Sequence, residues 1–280
     1  MKKLSAPLTK EKLLAKMASQ LNSTSFFFDL VGPDLAASRN SGYDKGKLSI
    51  SQRRGTIPLI PKEGASLSLL QNWRPITLLN VDYKIATKAI AKQLEPLLPK
   101  LIHPDQTGFI KGRYIGENIR LISDIMDITL KRKIPGILIS LDCQKAFDSL
   151  EWPFMQRVLE LFNFGASINN WIKVFYTDIE SAVMNNGFST KWFQLSRGVQ
   201  QGCALSPYLY ILAADMLSNK VRQSPDVKGI SIFGQEIKLG QFADDTNFFC
   251  SDVTSVENAL NIINEFSRFS GLNLNLKKTN

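Results

Sequence analysis

Three aspartates are the residues of this sequence best suited to chemistry. Asp142 closes a short apolar run, Ile137-Leu-Ile-Ser-Leu, and Asp244-Asp245 lie between Gln241-Phe-Ala and Thr246-Asn-Phe-Phe. Carboxylate oxygens are ligands for hard divalent cations, and two such ions roughly 4 Å apart can hold both the attacking and the leaving oxygen of a phosphoryl transfer. Crowded like charges repel, so such a cluster is costly unless cations neutralise it. Asp is also an ordinary turn former, and an isolated Asp-Asp turn is most simply that. What sets this pair apart is a third carboxylate ending a strand-like run 102 residues earlier.

For the three to meet, the strand and the turn must be neighbours in one sheet. Ile137–Asp142 reads as a compact strand after Pro135-Gly136, and Leu239–Cys250 as a hairpin with Ala243-Asp244-Asp245 at its tip. A second hairpin turns near Phe233-Gly234-Gln235, and Ser181–Leu195 forms another that turns at Asn186-Gly187. Apolar spacing predicts helices over Asp82–Leu98, Glu117–Lys131, Glu151–Phe164 and Ile168–Thr177. Ser206–Arg222 is a helix with Pro207 in its first turn, and Glu257–Ser270 one closed by Gly271. A strand over Leu272–Leu276 follows. Thr56–Lys62 is held extended by two prolines. Residues 1–48 are polar and carry no motif, with one amphipathic helix expected around Lys10–Leu21.

Composition narrows the classes. With 280 residues, 44% hydrophobic and 21% charged, the chain is long and apolar enough to bury a core. Lys and Arg outnumber Asp and Glu by 34 to 25, a net charge of +9. The excess lies in residues 1–199, while 200–280 carry a net −1. A basic part beside a carboxylate pair is what a phosphate-gripping region joined to a metal-binding one would show, although a solvated lysine-rich surface explains any single lysine. No apolar run of about 18 residues exists, so no transmembrane helix is expected, and Lys10-Glu11-Lys12 interrupts any signal-peptide core. Three scattered cysteines, Cys143, Cys203 and Cys250, argue for a reducing compartment and against a disulfide framework. One histidine, His103, leaves no structural zinc set and no seat for a His-based triad.

The motifs around these aspartates resemble those of reverse transcriptases, most closely the non-LTR (LINE-type) retrotransposon enzymes. Phe242-Ala-Asp-Asp245 and Leu141-Asp-Cys-Gln-Lys-Ala-Phe-Asp-Ser149 are similar to the palm motifs. Gln71-Asn-Trp-Arg-Pro-Ile-Thr-Leu-Leu-Asn80 resembles the fingers segment, and Ile102-His-Pro-Asp-Gln-Thr-Gly-Phe-Ile-Lys-Gly-Arg113 the LINE-specific block after it. Arg197-Gly-Val-Gln-Gln-Gly-Cys-Ala-Leu-Ser-Pro207 is similar to the block lining template and nucleotide, and Ser270-Gly-Leu-Asn-Leu-Asn-Leu-Lys-Lys278 to the lysine-bearing strand beyond the palm helix. All six blocks occur in family order from about Arg53 onward.

The resemblance implies an α+β right-hand polymerase core. Its antiparallel palm sheet is backed by helices, and its fingers mix helix and strand. Residues 1–48 would be a polar, basic extension, 49–135 the fingers and 136–280 the palm. Asp142, Asp244 and Asp245 would bind two Mg²⁺ ions, with Mn²⁺ a possible substitute, for transfer of dNTPs onto a primer 3′-hydroxyl. Phe147 would be the steric gate against a 2′-OH. Lys62 and Arg74 would hold the triphosphate, and Gln201 and Gly202 would shape the nucleotide pocket. Lys277 or Lys278 would stand near the leaving pyrophosphate. Lys111 and Arg113 would touch template. The implied partners are an RNA template, a DNA primer and dNTPs, without a membrane, in the nucleus or cytoplasm.

Three features depart from the family pattern. Gln200 stands where these enzymes usually carry Arg, Ala204 where they carry Pro, and Cys143 follows the first aspartate where an aromatic or small residue is usual. Because the sequence stops at Asn280, the thumb is expected to be absent, together with any preceding endonuclease domain or following cysteine-rich segment. That keeps a second expectation open: an inactive retroelement remnant that at most binds nucleic acid. Phe147, and Ala243 before the Asp pair, disfavour an RNA-dependent RNA polymerase.

Overall fold

The structure is a computed structural model that describes residues 25–64, 66, 68–185 and 187–275. The helix expected around Lys10–Leu21, and both Lys277 and Lys278, lie outside the described residues. In chain order the elements are α1 (Ser25–Asp44), α2 (Ile50–Arg53), β1 (Arg54–Pro61), β2 (Trp73–Pro75), β3 (Leu78–Leu79), α3 (Val81–Leu94), α4 (Leu98–Leu101) and α5 (Ile115–Arg132). Next come β4 (Ile137–Leu141), α6 (Ala146–Ser149), α7 (Trp152–Leu161), α8 (Ala166–Tyr176), β5 (Glu180–Asn185), β6 (Phe188–Ser189) and β7 (Phe193–Gln194). The last are α9 (Ser206–Gln223), β8 (Ile230–Ile232), β9 (Gln235–Ile237), β10 (Leu239–Phe242), β11 (Asp245–Cys250) and α10 (Val253–Ser270).

Most expected elements appear, and the exceptions have local causes. The helix expected over Asp82–Leu98 stops at Leu94, because Pro96 lacks an N–H and disfavours the helical region for Glu95 before it. The last helix starts a turn early, at Val253, where the Asp252 carboxylate accepts a 2.7 Å bond from the Ser255 N–H. α1 lies in a stretch whose polar texture hid it. Among the described residues of the strand expected over Leu272–Leu276 there is one bridge, Leu274 to Cys143. Asp245 does not sit at the hairpin tip: it opposes Phe242 as the first residue of β11, and the tip is Ala243-Asp244.

Two compact units form, each from two stretches of chain: Met1–Gln93 with Leu159–Ser206, and Leu94–Val158 with Pro207–Asn280. In the first, β1 pairs in parallel with β5 and antiparallel with β2 and β3, while β6 and β7 extend β5. Tyr43 of α1 packs on Trp171 of α8 at 4.8 Å between ring centres, and Tyr83 of α3 meets Phe175 of α8 edge-on at 5.4 Å.

The second unit is built on an antiparallel sheet of order β10-β11-β4. Successive residues of a strand point to opposite faces, and β11 uses this to fill two cores. Phe248 and Cys250 join Leu141, Val221, Leu239, Ala259 and Ile263 on the side of α9 and α10. Phe249 faces the other way, against Ile125 of α5 and Ile230 and Ile232 of the β8–β9 hairpin. Phe233 and Gly234 turn that hairpin with φ of 53° and 79°, the left-handed pair that a two-residue hairpin requires.

Candidate active site

In the second unit the backbone brings the two carboxylate motifs to one end of one sheet. β4 and β11 run antiparallel with Leu141 opposite Thr246, so Asp142 leaves its strand where Asp244 and Asp245 enter theirs. Asp142 and Asp244 are half-buried and Asp245 is exposed. All three charges reach one neighbour: the Cys143 thiol is pushed up to about 11, first by burial, then by Asp244, with smaller contributions from Asp142 and Asp245. A hydrogen bond with Tyr210 opposes the shift.

Each carboxylate motif is held by an amide. Asn275 donates its side-chain Nδ2 to Asp142 Oδ2 at 2.9 Å and its backbone N–H to the Asp142 carbonyl at 2.8 Å. Fully buried Gln106 grips the opposite turn: its Nε2 donates to the Ala243 carbonyl at 3.1 Å, and its Oε1 accepts from the N–H groups of Ala243 and Gly108 at 2.8 Å each. The same strip pairs with β10 through Thr107 N–H to the Gln241 carbonyl and Gln241 N–H to the Asp105 carbonyl. A Cβ on Gly108 would lie 2.2 Å from Ala243 N, so only glycine fits there. Ala243 itself has φ of 58°, a left-handed conformation unusual for a residue with a Cβ.

Below the turn, Gln241 donates to Thr246 Oγ1 and accepts from Ser218 Oγ of α9. Further along α9, Arg222 clasps Asp105 with two bonds of 2.6 and 2.9 Å and Asp215 with one of 2.8 Å. Burial raises the Asp215 carboxyl above its ordinary range, while Arg222 pulls it back.

Phe147, on the single turn α6, stacks on Tyr210 of α9 at 4.9 Å between centres and 15° between planes. Four of the other expected site residues, Lys62, Arg74, Gln201 and Gly202, lie in the first unit. Arg74 on β2 opposes Ile60, and the Lys62 N–H bonds the Asn72 carbonyl, so one antiparallel hairpin carries both cations. Thr77 N–H donates to the Gln201 carbonyl at 2.9 Å, and Gly202, at φ of 105°, packs where a Cβ would be 2.8 Å from the Thr77 carbonyl. Lys111 is exposed. The Arg113 guanidinium donates to the carbonyls of Pro99, Ile102, His103 and Gln106 and closes the loop that holds the turn. Gln106, Gly108 and Asn275 lay inside two of the recognised blocks, yet nothing local in the sequence says what a buried amide will bond.

Among the described residues, no three His, Cys, Asp or Glu side chains are gathered tightly enough to enclose an ion by themselves. Mutual repulsion of carboxylates favours such spreading. The donors nonetheless fit a hard divalent cation: they are carboxylate oxygens, and the nearby half-buried sulfur is kept protonated.

The profile described as "Reverse transcriptase (RNA-dependent DNA polymerase)" matches residues 60–280. The chain belongs to the reverse transcriptase family. Membership implies divalent-metal chemistry in general terms, without fixing the ion. The chain is 33% identical over 262 residues to the transposon TX1 uncharacterized 149 kDa protein of Xenopus laevis, covering 91% of this chain and 19% of that protein. It is 28% identical over 222 residues to the Pol polyprotein of the type-1 retrotransposable element R2 of Popillia japonica, covering 79% and 31%. These relatives are non-LTR retrotransposon proteins, and this reverse transcriptase chain spans between about a fifth and a third of their length. Telomerase from Candida albicans, solved with a telomeric RNA fragment, has the same fold at a TM-score of 0.59 and 16% identity, over 86% of this chain and 44% of that one. The fold is thus that of a right-hand polymerase. Among the described residues no helix is long and apolar enough to cross a membrane.

Proposed function

We propose that this chain is the RNA-directed DNA polymerase domain of a non-LTR retroelement, extending a primer 3′-hydroxyl with dNTPs on an RNA template. The observation that carries the reading is the antiparallel pairing of β4 with β11, which sets Asp142 beside the Asp244–Asp245 turn. Asp142, Asp244 and Asp245 would hold Mg²⁺, with Mn²⁺ as a substitute. The bound ions supply Lewis-acid activation of the primer hydroxyl and neutralisation of the triphosphate. Phe147 presents a ring to the sugar and excludes a 2′-OH. Lys62 and Arg74 donate to triphosphate oxygens, and the Gln201–Gly202 backbone, strapped to Thr77, forms a pocket wall without a side chain. Lys277 is the proposed proton donor to pyrophosphate. In this reading residues 49–135 serve as fingers and 136–280 as palm. The basic charge of residues 1–199 screens the duplex phosphates.

Support comes from the chemistry of the carboxylates, from the family match over residues 60–280, and from relatives such as the protein named RNA-directed DNA polymerase from mobile element jockey of Drosophila melanogaster. The test is primer extension on RNA with dNTPs and Mg²⁺, run beside the double variant D244A/D245A. Extension lost in the variant, with unchanged circular dichroism, is the expected result. Extension that survives in the variant, or absence of extension from a folded chain, overturns the reading.

A further inference from the structure

The gate ring Phe147 does not stand alone. Beneath it lies Tyr210, stacked at 4.9 Å and buried to 1% exposure, with its hydroxyl bonded to Cys143 next to Asp142. At its edge stands a second ring, Phe109, at 6.1 Å between centres and 83° between planes. Phe109 follows Gly108, whose backbone is pressed against Ala243 beside Asp244. The gate is therefore held between the two carboxylate-bearing turns, through Tyr210 on one side and Phe109 on the other.

Phe109 adopts this place at a cost. Its φ is 57°, an outlier for a bulky aromatic residue, and the residue remains 45% exposed. A half-exposed ring gains too little from burial to explain a left-handed backbone by core packing. Backbone strain persists only where the surroundings over-determine it, and it gathers at functional sites. Three of the positive-φ non-glycine residues, Phe109, Lys145 and Ala243, fall within two positions of Gly108, Phe147 or Asp244. Edge-to-face packing of two rings is directional, so Phe109 fixes the plane of Phe147 as well as its position.

We infer that Phe109 is a positioning residue for sugar selection: its ring buttresses Phe147 and so sets how strongly a ribonucleotide is rejected. The inference rests on Phe147 being the gate. Removing the buttress frees the gate ring to rock away from the 2′ position, which admits rNTPs while leaving the carboxylates in place.

The test measures single-nucleotide incorporation of dNTP against rNTP by the full chain, for the unaltered protein, F109A, F109Y and F147A. Equilibrium binding of dGTP and GTP in the presence of Mn²⁺ is measured in parallel, so that the ratio is read without turnover. F109A is expected to lower the dNTP/rNTP ratio by at least tenfold, F109Y to restore it, and F147A to abolish it. F109G, which relieves the backbone strain, should lower the ratio as F109A does while melting no earlier than the unaltered chain. A ratio unchanged in F109A but lost in F147A overturns the Phe109 inference alone. A ratio unchanged in F147A removes the gate reading and this inference with it.

Discussion

Gly108→Ala is the sharpest perturbation of the Ala243–Asp244 turn that leaves every proposed site residue unsubstituted. The added Cβ would lie 2.2 Å from Ala243 N and 2.8 Å from its Cα. Non-bonded carbon atoms settle near 3.5 Å, so the two backbones must part by roughly 1 Å. Neither can yield by rotating a side chain, because the clash is with main chain on both sides. The Gln106 amide binds Ala243 and Gly108 together and would be strained by the same displacement. Asp244 is the next residue, and a misplacement of about 1 Å at a reacting centre costs on the order of 10²-fold in rate. That corresponds to about 2.7 kcal/mol of transition-state stabilisation. The assay is single-nucleotide extension at saturating dNTP, with thermal melting of the same samples. The comparator is Gly112→Ala, four residues on in the same loop. There φ is 85° but nothing lies within 4 Å of the added Cβ, so strain is introduced without a clash. It should lose about 1 kcal/mol of stability and keep its turnover within a few-fold. Equal turnover losses in the two variants, or wild-type turnover and melting for G108A, would refute the argument that this contact positions Asp244.

Other perturbations have worked signs. R222M leaves Asp105 and Asp215 without their shared cation and should cost about 3–5 kcal/mol in urea unfolding at pH 7. Burial already raises Asp215, so the variant's deficit should shrink as pH falls and that carboxyl protonates; a pH-independent deficit would contradict it. With its folded value near 11, the Cys143 thiol favours the protonated folded state. Its contribution is present below about pH 9, the usual thiol range, and is lost as pH rises through 11. C143A should flatten that part of the stability profile, and iodoacetamide mass mapping at pH 8 should find Cys143 slow to alkylate. G202A forces a Cβ to 2.8 Å from the Thr77 carbonyl at φ of 105°, and should raise KM for dNTPs more than it lowers kcat.

Legibility in the sequence followed the range of the interaction. Local patterns gave β4, α5, α8 and the three hairpins, because their signals are periodicity and turn chemistry carried within about ten residues. Pro96 shows where periodicity misleads, since the apolar spacing continues through a residue that cannot. Long-range pairing was readable only by resemblance. Parallel pairing of β1 with β5, over Arg54–Pro58 against Glu180–Met184, ties residues 159–206 into the first unit, and neither strand's sequence names its partner. Arg113 is a related case. A Lys-Gly-Arg loop reads as a phosphate contact, and nothing local says that four backbone carbonyls from Pro99 to Gln106 converge on this guanidinium.

The amides at the site explain why its scaffold and its chemistry can be separate. Gln106, Gln241 and Asn275 orient the turn and Asp142 through side chains that carry no charge of their own. A lysine or arginine in their positions could donate but could not accept the N–H bonds that Gln106 takes from Ala243 and Gly108, and its charge would offset the carboxylates, weakening their pull on a cation or a triphosphate-bound metal. Arg222 is instead spent one layer away, on Asp105 and Asp215, where it steadies α9 against the strip that carries Gln106. The buried amide must be matched at every polar atom to be tolerated, and Gln106 is: two N–H groups on its oxygen and a carbonyl on its nitrogen, supplied by the backbone of Gly108 and of Ala243. Replacing it with Glu would keep the two accepted bonds and set a carboxylate oxygen against the Ala243 carbonyl. The turn would then be repelled at the one point where it is now drawn in.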